Sequence, residues 1–317
     1  MLEKHADELN RMTVLVTGAG GFIGSTLVRS LVRRGATVRA LAGPAGQATL
    51  ELPPGVTSAY GDIEDLQTLL TLAAGTSVVL HLAGPPSVAA SFEAPAEYGR
   101  VHTGGTLAVL EACRITGVPR LVYLSSAEVY GRPHCNPVAE DYPLRPRSPY
   151  AASKAAAEQF VLAYAHAYGM QTYVLRPFSV YGPELPLRSV IATVLSQALW
   201  QQEVVIGNLD SIRDYVFVDD VIDGILRTAT LAAASVNTFN LGSGTGTSIA
   251  TLADVALRLA ERKVPIRSDS SRRRPLDADI DYLVADPARA CTVLGWTSSV
   301  SLEDGLLRTL RWTQARR

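Results

Sequence analysis

"TVLVTGAGGFIG", Thr13 to Gly24, is the stretch that decides the fold. Its first half is an apolar, β-branched run and reads as a buried strand. Its second half sets Gly18, Gly21 and Gly24 at the passage from that strand into an amphipathic helix through "STLVRSLVRRG". Glycines at such a junction permit a tight turn and close backbone approach, and the N–H groups at the helix start suit a pyrophosphate. Outward from the turn, strand-like runs alternate with helical ones: "TVRALAG", "SVVLHLAG", a helix through "TLAVLEACRITG", then "RLVYLSS". Glycine-bounded strands with amphipathic segments between them indicate βαβ units and a parallel sheet.

The expected class is therefore α/β, a Rossmann-type doubly wound parallel sheet with a smaller mixed α/β lobe. After "TYVLRPFSVYGP" the chain becomes irregular and interrupted by proline, with separate helices such as "SIATLADVALRLAERK". The expected division is an N-terminal extension over 1–11, a dinucleotide-binding domain over 12–182 and a second lobe over 183–317, with 219–243 packing back onto the first domain. At 317 residues and 47% hydrophobic content, the chain can bury a full core. A net charge of −1 with dispersed basic residues gives no footprint for nucleic acid or an acidic membrane. The dense basic run is Arg272–Arg274. Cys113, Cys135 and Cys291 are few and far apart, which fits free thiols in a reduced, cytoplasmic protein and no metal site. No apolar run approaches the roughly 18 residues of a membrane span, and "MLEKHADELNR" is too polar for a signal peptide.

Two further stretches carry chemistry. In "SPYAASK", Tyr150 and Lys154 are four residues apart and share one helix face. An ammonium one turn from a phenol favours the phenolate and can reach a nicotinamide ribose, which makes Tyr150 a usable acid or base. In "SSAEVYG", Ser125, Ser126 and Glu128 stand where the strand "LVYL" ends, and ligands of an open parallel sheet bind outside those ends. A core ring with a solvated lysine, and a cleft-lining carboxylate, are the plainer readings of the same residues.

Together the three stretches resemble the extended short-chain dehydrogenase/reductase family, in its NAD-dependent epimerase/dehydratase branch. The resemblance covers nearly the whole chain: the glycine turn, "GDIED", "HLAGPPSV", "SSAEVYG", the YxxxK pair, "RPFSVYGP", "RDYVFVDDV", "FNLGSG" and the late "LGW". It implies a nicotinamide cofactor, NAD or NADP, against Gly18, Gly21, Phe22, Ile23, Gly24, Asp62, Ile63, Leu82, Ala83, Tyr150 and Lys154. It implies a nucleoside-diphosphate sugar held by Ser87, Ser126, Ser179, Arg213 and Arg274, and a homodimer. In the implied chemistry Tyr150 passes the C4 hydroxyl proton, Ser126 hydrogen-bonds the same oxygen, and Lys154 tunes Tyr150. Glu128 is a further catalytic candidate. The second lobe looks most like GDP-4-keto-6-deoxymannose reductases and GDP-mannose dehydratases.

The chain departs from the family pattern at four positions. Ala127 stands where dTDP-glucose-type dehydratases carry an acid, and alanine donates no proton. Ala42 stands where the second strand normally ends in an acid for the adenosine ribose. His102 and Ser179 each replace a usual asparagine. The leading expectation is reduction of an NDP-4-keto-6-deoxyhexose. The alternatives are an NDP-sugar 4-epimerase with retained NAD, a 4,6-dehydratase, and a silent nucleotide-binding protein on the same fold.

Overall fold

Val14 and Val16 face one hydrophobic cluster, Leu15 faces another, and all three are fully buried. That alternation is what a strand covered on both faces requires. The computed structural model describes residues 8–43, 51–187, 189–232, 234, 236–272 and 278–316. Its strands, in chain order, are β1 (Thr13–Thr17), β2 (Thr37–Ala42), β3 (Thr57–Tyr60), β4 (Val78–His81), β5 (Arg120–Leu124), β6 (Gln171–Pro177) and β7 (Ser179–Tyr181). They continue with β8 (Val204–Ile206), β9 (Ile212–Phe217), β10 (Thr238–Leu241), β11 (Gly246–Ser248), β12 (Ile266–Ser268) and β13 (Tyr282–Leu283).

Seven strands form one sheet in the order β10-β6-β5-β4-β1-β2-β3. Every neighbouring pair is parallel. The helices Phe22–Arg33 and Val218–Ala229 bury Leu27, Leu31, Val221 and Ile225 on one face. The helices Leu66–Ala73, Gly105–Thr116 and Pro149–Tyr168 bury Leu69, Leu110 and Val161 on the other. The order reverses between β1 and β4, which opens a crevice beyond their carboxyl ends. Leu9 is 1% exposed within the first cluster, so the segment ahead of Met12 contributes to the packing.

The second sheet is centred on β9, with β11 antiparallel beside it and β13 and β7 parallel. β8 and β12 form a separate parallel pair. Between these elements the chain returns to the main sheet through the helix Val218–Ala229 and β10, which pairs with β6. Two buried carboxylates of "RDYVFVDD" fix this return. Asp214 accepts hydrogen bonds from Ser243 N and Oγ, Gly244 N and Ala285 N. Asp220 accepts from Ser298 Oγ, Ser299 N and Oγ, and Val300 N, while its carbonyl takes the Trp296 indole N–H. The motifs "RDYVFVDDV", "FNLGSG" and "LGW" are thus joined as scaffold. No helix among the described residues is long and apolar enough to cross a membrane.

Candidate active site

The glycine turn occupies the β1 side of the crevice. Gly18 has φ +71°, and a Cβ there would come within 2.8 Å of the Ala83 backbone after β4. A Cβ on Gly24 would collide with the Gly18 carbonyl, so this glycine lets helix and strand pack closely. Gly21 is exposed and caps the helix Phe22–Arg33 without a side-chain hydrogen bond, and the first turn holds no acid. Uncapped N–H groups with the positive end of a helix dipole are what a pyrophosphate needs. The residues present therefore fit a dinucleotide. Phe22 and Ile23 are half-buried against the core, and Leu82 and Ala83 run beside the turn through hydrogen bonds from their N–H groups to Thr17 O and Thr17 Oγ1.

Asp62 and Ile63 follow β3. Ile63 is buried, while Asp62 is half-exposed and its Oδ2 pairs with Arg100 at 3.2 Å. Arg100 also pairs with Glu64. Arg100 was not legible as a partner of this acid, because the two are 38 residues apart. At the end of β2, Ala42 is 2% exposed and offers no polar group.

The helix Pro149–Tyr168 begins where its sequence says it should. Ser148 caps it through Oγ to Ala151 N at 3.1 Å, and Pro149 occupies the first turn. It presents Tyr150 to a cavity of about 150 Å³ lined by Pro86, Val88, Ser126, Ala127, Glu128, Tyr150, Pro177, Phe178, Ser179, Arg213 and Leu283. Ser126, Glu128, Tyr150, Ser179 and Arg213 are thus brought together. Ser126 caps the short turn Ala127–Tyr130 by accepting from Glu128 N, and its hydroxyl is close enough to the Tyr150 phenol to lower that group's pKa. Ser125, one position earlier, faces the opposite way and donates to Glu158. The period-two alternation of the strand end thereby separates the two hydroxyls.

Arg213 sits on β9 and donates to Ser211 Oγ and the Ile212 carbonyl. Ser87 stands between Pro86 and Val88 of the cavity wall, and its hydroxyl accepts from Ala90 N as a helix cap. Arg274 lies outside the described residues. Pro177 and Phe178 sit inside "RPFSVYGP" and could have been picked out from it. Leu283 could not, since β13 reaches the cavity only through the tertiary fold.

Lys154 sits one helical turn from Tyr150, and its ammonium has partners of its own. Its Nζ is buried, donates to the Leu124 carbonyl at 2.9 Å and lies over the Tyr123 ring. Burial lowers its pKa to about 7, with Glu158 opposing the shift. Burial instead raises the Tyr150 phenol to about 12; the Ser126 hydrogen bond pulls it down, and Glu128 and Tyr98 push it further up. Behind Lys154, Glu158 accepts two bonds from Arg176, which also donates to Tyr130 and to the Glu140 carbonyl. This buried ion pair ties β6 to the helix Pro149–Tyr168.

The crevice at a strand-order reversal, the glycine turn and the Ser126–Tyr150 pair can be compared with known proteins. The model of the NAD dependent epimerase/dehydratase family matches residues 14–242. A UDP-glucose 4-epimerase of Mycolicibacterium smegmatis is 34% identical over 95% of this chain and 98% of its own length. The solved UDP-glucose 4-epimerase of Thermotoga maritima, in complex with UDP-glucose, superposes with a TM-score of 0.88 at 29% identity, covering 96% of this chain and 99% of that one. A dTDP-glucose 4,6-dehydratase of Streptomyces venezuelae, solved with NAD, superposes at 0.87 with 27% identity over 96% of this chain and 98% of its own. The chain belongs to the NAD dependent epimerase/dehydratase family.

Proposed function

We propose that this chain is a nucleoside-diphosphate-sugar 4-epimerase that keeps NAD bound through the cycle. The observation that carries the reading is full-length similarity, at 34% identity, to a UDP-glucose 4-epimerase. It favours the alternative over the 4-ketoreductase expected first from the sequence. Ala127, buried beside Glu128 in the cavity wall, adds support by leaving that position without an acid for eliminating a C6 hydroxyl.

Gly18, Gly24 and the uncapped start of the helix Phe22–Arg33 would hold the dinucleotide. Bound NAD supplies the acceptor for a hydride from C4. Tyr150 takes the C4 hydroxyl proton and later returns a proton to the same oxygen. Ser126 hydrogen-bonds that oxygen, which keeps it in line with the phenol. Arg213, in the cavity lining, would meet the diphosphate with a guanidinium that stays charged.

The test is to purify the protein, read its 260/280 nm absorbance ratio, and incubate it with UDP-glucose, dTDP-glucose and GDP-mannose without added cofactor. The expected outcome is cofactor-loaded protein and interconversion of C4 epimers with no net change in nicotinamide. Cofactor-free protein that consumes added NADH or NADPH with a 4-keto-6-deoxy sugar nucleotide would restore the reductase.

A further inference from the structure

Tyr150 does not stand alone in the cavity wall: its ring lies edge-on to His102, with centroids 5.3 Å apart and planes at 82°. Tyr98 completes the cluster, 5.6 Å from His102 and 6.2 Å from Tyr150, again edge-on to each. The Tyr98 hydroxyl donates to the Ser87 carbonyl at 2.7 Å, which ties the three rings to the loop after β4. That loop supplies Pro86 and Val88 to the cavity.

His102 is 1% exposed and fixed on three sides. Its Nδ1 lies 2.8 Å from Ser153 Oγ, and Ser153 Oγ is 2.9 Å from the Tyr150 carbonyl, to which it donates. The other ring nitrogen, Nε2, is buried with no well-formed hydrogen bond, and the Pro85 backbone is a polar group facing the imidazole. The His102 carbonyl accepts from Thr106, whose hydroxyl also meets His81 on β4. On the remaining side lies Gly84, at φ +144°, where a Cβ would overlap the imidazole at Cδ2 and Nε2.

A buried ring nitrogen without a well-formed hydrogen bond contributes little to stability, so packing is what the ring chiefly offers here. A shorter amide, the residue implied at this position by the family resemblance, would not fill the space against both Gly84 and Tyr150. We propose that His102 is a positioning residue for Tyr150, and that the imidazole and the bare Cα of Gly84 form a fitted pair. This pair holds the phenol and the Gly84–Ser87 loop as one unit. The imidazole is neutral: burial, then Lys154 and His81, push it down to about 2 against an opposing pull from the Pro85 backbone, so it acts by shape and by its Ser153 bond rather than by charge. The groups facing the phenol are Ser126 and Glu128 from the turn after β5, and Tyr98 and His102 from the helical segment before β5.

The proposal rests on Tyr150 being the acid–base group, and its test includes readouts that need no turnover. His102→Asn, His102→Phe and Gly84→Ala would be made singly, with Gly84→Ala also combined with His102→Asn. His102→Asn is expected to lower kcat about 10²-fold with KM unchanged, the loss typical of a misplaced reacting group. His102→Phe, which keeps the ring, is expected to lose less. In ¹³C-tyrosine NMR of the whole chain, the Tyr150 phenol should titrate on the order of one unit lower in His102→Asn, because water enters where the ring was.

Gly84→Ala should cost more thermal stability in the wild-type background than in the His102→Asn background, the backbone strain at φ +144° being common to both arms and cancelling in the cycle. Additive stability changes, or a His102→Asn protein with wild-type kcat and wild-type Tyr150 titration, would overturn the proposal. A chain inactive on every sugar nucleotide would count against the functional reading alone, since the titration and the cycle still judge the fitted pair.

Discussion

The turn after β1 works with backbone, and the cleft around Tyr150 works with side chains. Gly18, Gly21 and Gly24 span seven residues, and what matters at each is an absent Cβ. The cleft draws on the loop after β4, the turn after β5, the helix Pro149–Tyr168, β7, β9 and β13, which lie far apart in the chain. A site made of backbone is local and is written in consecutive letters. A site made of side chains exists only once the strand ends have been assembled. The first fails by steric intrusion, the second by loss of one functional group.

The largest expected effect separates two glycines of the same turn. A Cβ on Gly24 would meet the Gly18 carbonyl, a backbone atom that cannot swing aside. Gly24→Val is therefore expected to remove most of a folding stability on the order of 5–15 kcal/mol, seen as loss of the cooperative melt. Gly21 is exposed, and the Gly18 carbonyl at 3.3 Å is all that a Cβ there would meet. Gly21→Val should keep the melt and lose dinucleotide binding by calorimetry, because the intrusion now falls on the ligand's side. A Gly21→Val protein that binds NAD normally would mean that the pyrophosphate lies elsewhere.

In the cleft the matching change is Tyr150→Phe, which removes one oxygen and leaves the ring cluster with Tyr98 and His102 intact. Its fold and nucleotide-sugar affinity should persist while turnover falls about 10²- to 10⁴-fold, the usual contribution of a positioned acid or base. Ser126→Ala should lose less, since Ser126 only hydrogen-bonds the reacting oxygen. Near-normal turnover in Tyr150→Phe would take the proton transfer away from this phenol.

The same contrast explains what could be read from the sequence. The parallel sheet, the glycine turn and the helix start at Ser148–Pro149 follow from periodicity, φ preferences and capping, which are properties of neighbouring residues. The roles of Ser125 and Ser126 separate only when the strand end is given a direction. Four-residue spacing places Lys154 and Tyr150 on one helix face, but spacing does not say where Nζ ends; in the fold it reaches the Leu124 carbonyl. Glu158, four residues further on, stood at the same period, but its partner Arg176 lies on β6 and no local pattern joins them. Asp214 and Asp220 belong to a stretch that the resemblance marks without giving either a role. In the fold they are anchors, each with its carboxylate fully engaged by N–H and hydroxyl donors.

The smallest expected effect is at Ala42, where the backbone site lacks a side chain it could have used. β2 ends there beside the glycine turn, with the Ala19 N–H donating to the Leu41 carbonyl, so the position borders the place where an adenosine ribose would lie. The acid that follows the neighbouring strand β3, Asp62, is paired with Arg100. A carboxylate to the ribose diol would add a charge-assisted hydrogen bond of about 1.5–3 kcal/mol. It would also repel a 2′-phosphate. Wild-type protein is therefore expected to bind NADH and NADPH with similar affinity, and Ala42→Asp should shift the preference toward NADH by roughly 10- to 150-fold. Competitive fluorescence titration of the two reduced cofactors reads this directly. If Ala42→Asp leaves the ratio unchanged, the ribose is held from another side, and the glycine turn with its helix start carries the cofactor without help from β2.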